Sequence, residues 1–83
     1  MNHQSKKSQN NLGISYKYGD AVEKNLNKAI EYFKLAADQG YDVAQNNLGV
    51  AYEYGSGVKK DLKQAVKYYQ LSADQEFDEA QNI

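Results

Sequence analysis

The chain contains one unit written twice, with a period of 36 residues. Residues 10–45 and 46–81 align without a gap and are identical at 19 of 36 positions. Self-similarity at a fixed period of this length is typical of proteins built from stacked supersecondary units. Each unit must then bury its apolar side against a neighbouring unit, and this constrains the fold more than any other feature of the sequence.

The first segment of each unit predicts a helix. Its apolar positions recur at i, i+4, i+7 and i+8, which is one stripe of a helix and not the alternation of a strand. Asp42 is a candidate N-cap for the second of these helices, and Gly19 and Gly55 are expected to end the two helices in left-handed turns. The stripe consists of Ala44, Leu48, Ala51 and Tyr52 in the second copy, and of Ser8, Leu12, Ser15 and Tyr16 in the first.

The second segment of each unit predicts another helix, which follows a short loop. Asn25 and Asp61 are the expected N-caps, and Gly40 is a plausible residue to end the first copy. The apolar face comprises Leu26, Ala29, Ile30, Phe33 and Ala37 in the first copy, and Leu62, Ala65, Val66, Tyr69 and Ala73 in the second.

Two glycines lie inside the predicted first helices, where glycine costs about 0.5–1 kcal/mol relative to alanine. Close approach of the second helix would offset that cost at Gly13 and Gly49. We expect the small residues of the second helices, such as Ala29 and Ala65, to form the surface that packs there.

The predicted fold class is all-α, an α-α superhelix of two helix–turn–helix repeats with the start of a third first helix. Residues 1–7 are expected to form a flexible polar tail and residues 8–83 a single repeat domain. Within it we assign repeat 1 to about 8–43, repeat 2 to about 44–79 and a partial third repeat to 80–83. The sequence is compatible with a complete protein and with a piece of a longer array.

Composition argues against several classes of function. The net charge is −1 and arginine is absent, whereas a nucleic-acid-binding face needs basic side chains to neutralise phosphates. Cysteine is absent and His3 is the only histidine, so a thiolate metal site, a histidine metal cluster and a histidine-based triad are not expected. No stretch approaches the roughly 20 apolar residues of a membrane span. We therefore expect a cytoplasmic, non-enzymatic protein without a cofactor, bound metal, nucleic acid or membrane.

The residues of the repeat resemble a known pattern, that of the SEL-one-like repeat, a helical relative of the tetratricopeptide repeat. The first copy departs from the pattern at Asp20, Ala21 and Asn25. The resemblance implies a right-handed superhelix whose first helices line a concave surface, used as an adaptor or scaffold for other proteins, and it does not imply catalysis. The matching positions of the second copy are Ala44, Leu48, Gly49, Tyr52, Gly55, Gly57, Val58, Asp61, Ala65, Tyr68, Tyr69 and Ala73.

A candidate partner-binding face lies opposite the apolar stripe of the first helices, at 100° per residue. Its asparagines would hydrogen-bond the backbone of an extended peptide, its aliphatic residues would hold an apolar side chain, and its charged residues would select charge. Polar residues opposite a stripe are also what any solvated helix face shows, and that reading stays open. The predicted residues are Lys7, Asn10, Ile14, Lys17, Val43, Asn46, Val50 and Glu53, with Tyr18 and Tyr54 at the rim.

The partner would be a peptide or a helix of another protein. An alternative from a different class is a structural role, in which the chain associates with itself through exposed repeat ends. Leu35, Leu71 and Phe77 are the residues predicted for those ends.

Overall fold

The computed structural model describes the backbone of residues 5–81 and the side chains of residues 5–75. Within this range the chain forms helices α1 (Lys6–Tyr18), α2 (Leu26–Asp38), α3 (Asp42–Tyr54) and α4 (Leu62–Gln81), and no strand. Each helix packs against the next along the chain. The predicted all-α arrangement of two helix–turn–helix repeats is confirmed.

Two of the three predicted N-caps are confirmed. The Asn25 side-chain oxygen accepts a hydrogen bond from the backbone N–H of Lys28 at 3.0 Å, and the Asp61 carboxylate accepts one from Gln64 N–H at 3.2 Å. The prediction for Asp42 was wrong. The N-cap of α3 is Tyr41, the residue before Asp42, and its side chain makes no capping hydrogen bond. Asp42 instead lies in the first turn of α3, where its negative charge interacts favourably with the helix dipole and stabilises the helix.

Helix ends fall at the predicted glycines. Gly19 and Gly55 are left-handed, with φ of 70° and 69°, and end α1 and α3. Gly40, with φ of 84°, follows α2. The turns that end the first helices of the two repeats therefore have the same geometry.

The two ends of the domain differ from the predicted boundaries. Ser5 caps α1 by accepting a hydrogen bond from Ser8 N–H, so Lys6 and Lys7 form a first helical turn inside the range predicted as tail. At the other end α4 continues to Gln81 as one helix of 20 residues. The predicted start of a third first helix is therefore not a separate element. Position 76 corresponds to Gly40 but is glutamate, so nothing there favours the left-handed turn that ends α2.

The core lies mainly between α2 and α3, the two helices that meet across the repeat boundary. Ala36, Ala44 and Leu48 have 0% of their surface exposed, and Phe33 has 2%. Five of the eight buried residues of this cluster are alanines, and Ile30, Phe33 and Leu48 supply its larger side chains. Partly buried tyrosines and a valine cover the edges of the cluster, namely Tyr16, Tyr41, Val58 and Tyr68.

The glycines inside α1 and α3 lie against aromatic rings and not against the alanines that we expected. A Cβ atom on Gly13 would lie 2.6 Å from Cε1 of Phe33, and one on Gly49 would lie 2.8 Å from Cδ1 of Tyr69. Ala29 contributes only its carbonyl oxygen near Gly13, at 3.1 Å. The missing side chain of each glycine thus makes room for the face of a ring on the second helix of the same repeat.

The loop between α3 and α4 rests on the preceding repeat. Gly57 has φ of 77°, and a Cβ atom there would lie 2.6 Å from the backbone oxygen of Leu26 and 3.0 Å from Ile30. The equivalent residue of the first loop is Ala21, which adopts a similar φ of 66°. No earlier repeat lies beneath the first loop within the described residues, so only conformational strain opposes alanine there. This accounts for the presence of alanine at position 21, one of the departures of the first copy from the repeat pattern.

We predict that Gly13→Ala destabilises the domain although it removes a glycine from a helix. Overpacking against the buried Phe33 ring costs about 1–3 kcal/mol, whereas alanine regains about 1 kcal/mol of helix propensity. A net loss of about 1 kcal/mol lowers the thermal midpoint by about 4–8 °C in a domain of this size. Thermal unfolding followed by circular dichroism measures it. Asn11→Ala, at an exposed position of α1, is the control, and an equal rise of the midpoint in both variants would contradict the packing argument.

Candidate functional site

The first helices of the two repeats are neighbours. The side-chain amide of Asn47 on α3 donates a hydrogen bond to the side-chain oxygen of Asn10 on α1 at 2.9 Å. Gln39, which caps the end of α2, donates to the side-chain oxygen of Gln9 on α1. The bond between Asn47 and Asn10 links α1 directly to α3, and the bond between Gln39 and Gln9 links α1 to the end of α2. The predicted residues of α1 and α3 thus belong to neighbouring parts of one surface.

One row of predicted residues on this surface is open to solvent. Tyr18 and Tyr54 are 68% and 73% exposed, and Val43 and Ile14 are 43% and 36% exposed. Lys7 is exposed and Val50 is half-buried. We call these six residues the exposed row: Lys7, Ile14 and Tyr18 on α1, and Val43, Val50 and Tyr54 on α3.

A second row of predicted residues faces neighbouring elements of the protein. Asn10 is only 2% exposed and is bonded to Asn47, so it has almost no surface to offer a partner. The helical projection treats α1 as isolated, whereas α3 covers this side of it. Lys17, one full heptad after Asn10, is half-buried. Asn46, the equivalent of Asn10 in the second repeat, is exposed. The predicted face is therefore split: Asn10 and Lys17 are covered at least in part by the protein itself, whereas Asn46 and the exposed row remain accessible.

Glu53, the last residue of this second row, is engaged within its own repeat. The hydroxyl of Tyr69 on α4 donates a hydrogen bond of 2.6 Å to a carboxylate oxygen of Glu53. Burial raises the pKa of Tyr69 to about 12, and the hydrogen bond and negative charge of Glu53 contribute to the increase. Glu53 therefore anchors α3 to α4 and has one oxygen less to offer a partner than the sequence suggested.

Sequence reasoning missed this contact, although the two repeats contain a signal for it. The first repeat has Lys17 and Phe33 where the second has Glu53 and Tyr69. The second repeat thus has a carboxylate and a phenol at two positions that are in contact, and the first repeat has neither group at the equivalent positions. Joint replacement of two residues between otherwise similar repeats is the pattern that could have revealed the pair.

Tyrosines shape the remaining surface of each repeat. Tyr16 stacks on Tyr32 with ring centroids 5.7 Å apart, and Tyr52 stacks on Tyr68 with centroids 5.8 Å apart. Burial also raises the pKa of Tyr68. These paired rings join the first helix to the second in each repeat. Tyr18 differs, because its ring is exposed and lies 5.2 Å from the Nζ atom of Lys17.

The concave spaces of the molecule do not coincide with the exposed row. A crevice where α1, α2 and α3 meet has a volume of about 10 Å³, which is room for about one water molecule and not for a side chain. A larger polar groove of about 450 Å³ lies along the loop between α1 and α2, beside Tyr16, Lys24 and Lys28. None of the predicted residues lines that groove. The exposed row is thus an open surface and not a cavity of the kind that holds a small ligand.

Other chemistry finds no support in the described part of the chain. Residues 5–75 contain no group of three or more histidine, cysteine or acidic side chains that could hold a metal ion. Among the described helices, none is both long and apolar enough to cross a membrane. His3 lies outside the described residues.

Comparison with known proteins agrees with the resemblance found in the sequence. The Sel1 repeat family model matches residues 6–41 and 42–77, against predicted starts at about 8 and 44. A crystal structure of a Sel1 repeat protein from Oxalobacter formigenes is 43% identical, with a TM-score of 0.83 over 84% of this chain and 29% of that chain. The structure of c5321, a protective antigen present in uropathogenic Escherichia coli strains and displaying an SLR fold, is 37% identical, with a TM-score of 0.83 over 84% of this chain and 15% of that chain. The chain thus spans less than a third of either protein. No curated protein matches it.

The contact between Tyr69 and Glu53 leads to a prediction for alkaline titration. Because the pKa is raised from 10.0 to about 12 on folding, the neutral phenol stabilises the fold below pH 10, and this contribution is lost as the pH rises towards 12. We expect phenolate absorbance, recorded by rapid mixing before the chain unfolds, to contain a component near pH 12 that Tyr69→Phe lacks. Glu53→Gln moves this component to lower pH because the negative charge is removed.

Tyr18→Phe is the matched control for this titration, since Tyr18 is exposed and lies away from Glu53. It should leave the late component in place. A late component that persists in Tyr69→Phe would contradict the assignment.

Proposed function

Because the chain belongs to the Sel1 repeat family, whose members generally mediate contacts between proteins, we propose that it is a non-catalytic module that binds a peptide or a helix of a partner protein. The binding surface in this proposal is the face formed by α1 and α3, which the family resemblance implies to be the concave face of a superhelix. The module would act as an adaptor or scaffold.

The exposed row is the observation that carries this proposal. It places an aliphatic residue and a tyrosine at equivalent positions of both repeats, since Ile14 and Tyr18 correspond to Val50 and Tyr54. Tyr18 and Tyr54 are among the most exposed large side chains described, at 68% and 73%. Exposed tyrosines supply large contact areas at low cost in conformational entropy and keep a hydroxyl for hydrogen bonding.

The chemistry of the surface favours an extended or helical segment with apolar anchors. Ile14, Val43 and Val50 would contact apolar side chains of the partner, and Tyr18 and Tyr54 would border them. Asn46 is exposed and would hydrogen-bond the partner's backbone. Lys7 would contribute the only charge of the exposed row, which favours an acidic group on the partner at the end nearest the start of α1.

We predict that substitutions in the exposed row weaken peptide binding without unfolding the chain. A displayed library of random peptides supplies ligands for the wild-type protein, and their affinities are then measured by fluorescence polarisation. Tyr54→Ala and Val43→Lys should each weaken binding at least about tenfold, the effect expected from loss of one central contact. Both side chains are exposed, so helicity by circular dichroism should be unchanged.

Leu35→Lys is the matched control for this experiment. Leu35 is an aliphatic residue of α2 that is 49% exposed and lies outside the exposed row. Its substitution should leave the affinity of the selected peptides unchanged. Peptides whose binding is lost with Leu35→Lys and retained with Val43→Lys would contradict the proposal.

A further inference from the structure

One side of α2 shows what the second helix of a repeat requires from the next repeat. Ile30 and Ala37 are each 6% exposed, and both belong to the cluster that α3 completes with Leu48 and its neighbours. Leu26 and Ile30 also lie beneath Gly57 of the following loop. This side of α2 is thus covered by the second repeat, chiefly by α3.

The corresponding side of α4 is open. Leu62 and Val66, which correspond to Leu26 and Ile30, are 58% and 64% exposed. Ala73, which corresponds to Ala37, is also exposed. The opposite flank of α4 is packed as in α2, because Ala65 is 2% and Ser72 6% exposed against α3. Within the described residues nothing covers the open face of α4, which we define as Leu62, Val66 and Ala73.

The exposure of Leu71 has a different origin, contrary to our expectation for the repeat ends. Leu71 is 44% exposed, but its counterpart Leu35 is 49% exposed although a full repeat follows it. This position therefore faces solvent whether or not a neighbouring repeat is present. Phe77, the other residue predicted for the repeat ends, lies outside the residues whose side chains are described.

The outer side of α1 resembles the side of α3 that packs on α2. Ser8, Leu12 and Ser15 occupy the positions of Ala44, Leu48 and Ala51. The leucine is retained, and serine differs from alanine by one hydroxyl, so the side stays narrow enough for close helix packing. Leu12 is half-buried where Leu48 is 0% exposed, because α1 has no repeat in front of it within the described residues.

We propose that the open face of α4 binds the outer side of α1 from a second copy of this chain, in a head-to-tail contact that repeats the packing of α3 on α2. Charge supports this occupant. Helix α2 ends at Asp38 and α3 begins at Asp42, so the two carboxylates flank the turn between these helices. Between copies, Lys6 and Lys7 would take the place of Asp42 and Val43, and the exposed Asp74 would take that of Asp38. An acidic pair is thus replaced by opposite charges.

The two serines set the strength of this contact. Burying a hydroxyl without a new hydrogen bond is unfavourable, so Ser8 and Ser15 bind less tightly than the alanines of α3. One helix face is also smaller than the roughly 800 Å² per partner of a standard interface. The association is therefore weak and reversible, and as a heterologous contact it extends to further copies as concentration rises.

Sedimentation velocity of the full chain over a hundredfold range of concentration, up to about 1 mM, tests the proposal. The average mass of the wild type should rise with concentration. Val66→Lys blocks the open face of α4, and Ser8→Lys blocks the outer side of α1, so each variant alone should remain monomeric. Mixed together they should form a one-to-one dimer, because each still carries one intact surface. Leu71→Lys, on the other side of the same helix, should behave as wild type.

Two further variants strengthen the test. Ser8→Ala combined with Ser15→Ala should shift the association at least about tenfold to lower concentration, since the buried hydroxyls are removed. Asp74→Lys should weaken association, and Lys6→Glu with Lys7→Glu in the same chain should restore it.

Three results would overturn the proposal. The first is a strictly monomeric wild type and a strictly monomeric double-alanine variant at the highest concentration, which would leave the open face to a different occupant such as a further repeat. The second is self-association of Ser8→Lys equal to that of wild type, which would indicate that two α4 faces pair with each other. The third is a monomeric mixture of Val66→Lys and Ser8→Lys when the wild type associates.

Discussion

The contact between α2 and α3 joins the two repeats into one core. It contains the side chains with the least exposure, Ala36, Ala44 and Leu48, and it joins the second helix of one repeat to the first helix of the next. Neither repeat could bury these residues alone. Small domains bury a limited share of their surface, so the loss of this contact would expose a large part of the core.

Within each repeat a second constraint fixes how the helices meet. The absence of a side chain at Gly13 and Gly49 lets an aromatic ring lie on the backbone of the first helix, and the stacked tyrosines hold the same two helices together nearer the loop. The orientation of each helix pair is therefore set by contacts within its own repeat. Since both repeats use the same kind of contact, Ile14 and Tyr18 keep the same place in the first repeat that Val50 and Tyr54 have in the second.

Local signals in the sequence predicted the helices and most of their ends, whereas contacts between elements were harder to predict. Asn25, Asp61 and the glycines after α1 and α3 act on their own backbone, so residue type and position suffice. Asn10 is the opposite case: a projection of a single helix placed it on the binding face, and only the presence of α3 shows that it is buried. The glycines inside the first helices were correctly interpreted as sites of close approach, but the aromatic partner depends on the relative rotation of two helices, which the hydrophobic pattern does not specify. Six of the ten residues predicted for the binding face form the exposed row. Their side chains lie on the outward side of α1 and α3, where the environment resembles that of an isolated helix, so a projection of one helix could place them.

The loop at Gly57 rests on Leu26 and Ile30 of the preceding repeat. The segment that opens cooperatively therefore has different boundaries from the repeat of the sequence. The residues that protect one another run from α2 through α3 to Val58 and straddle the repeat boundary. Amide hydrogens in this central segment would exchange with solvent only when both repeats open together, whereas those at the start of α1 and along the outer side of α4 exchange through local fraying. The central segment thus opens as one cooperative unit, and the two outer helices open more easily. This cooperative unit contains residues of both copies and is formed only when the two repeats pack together.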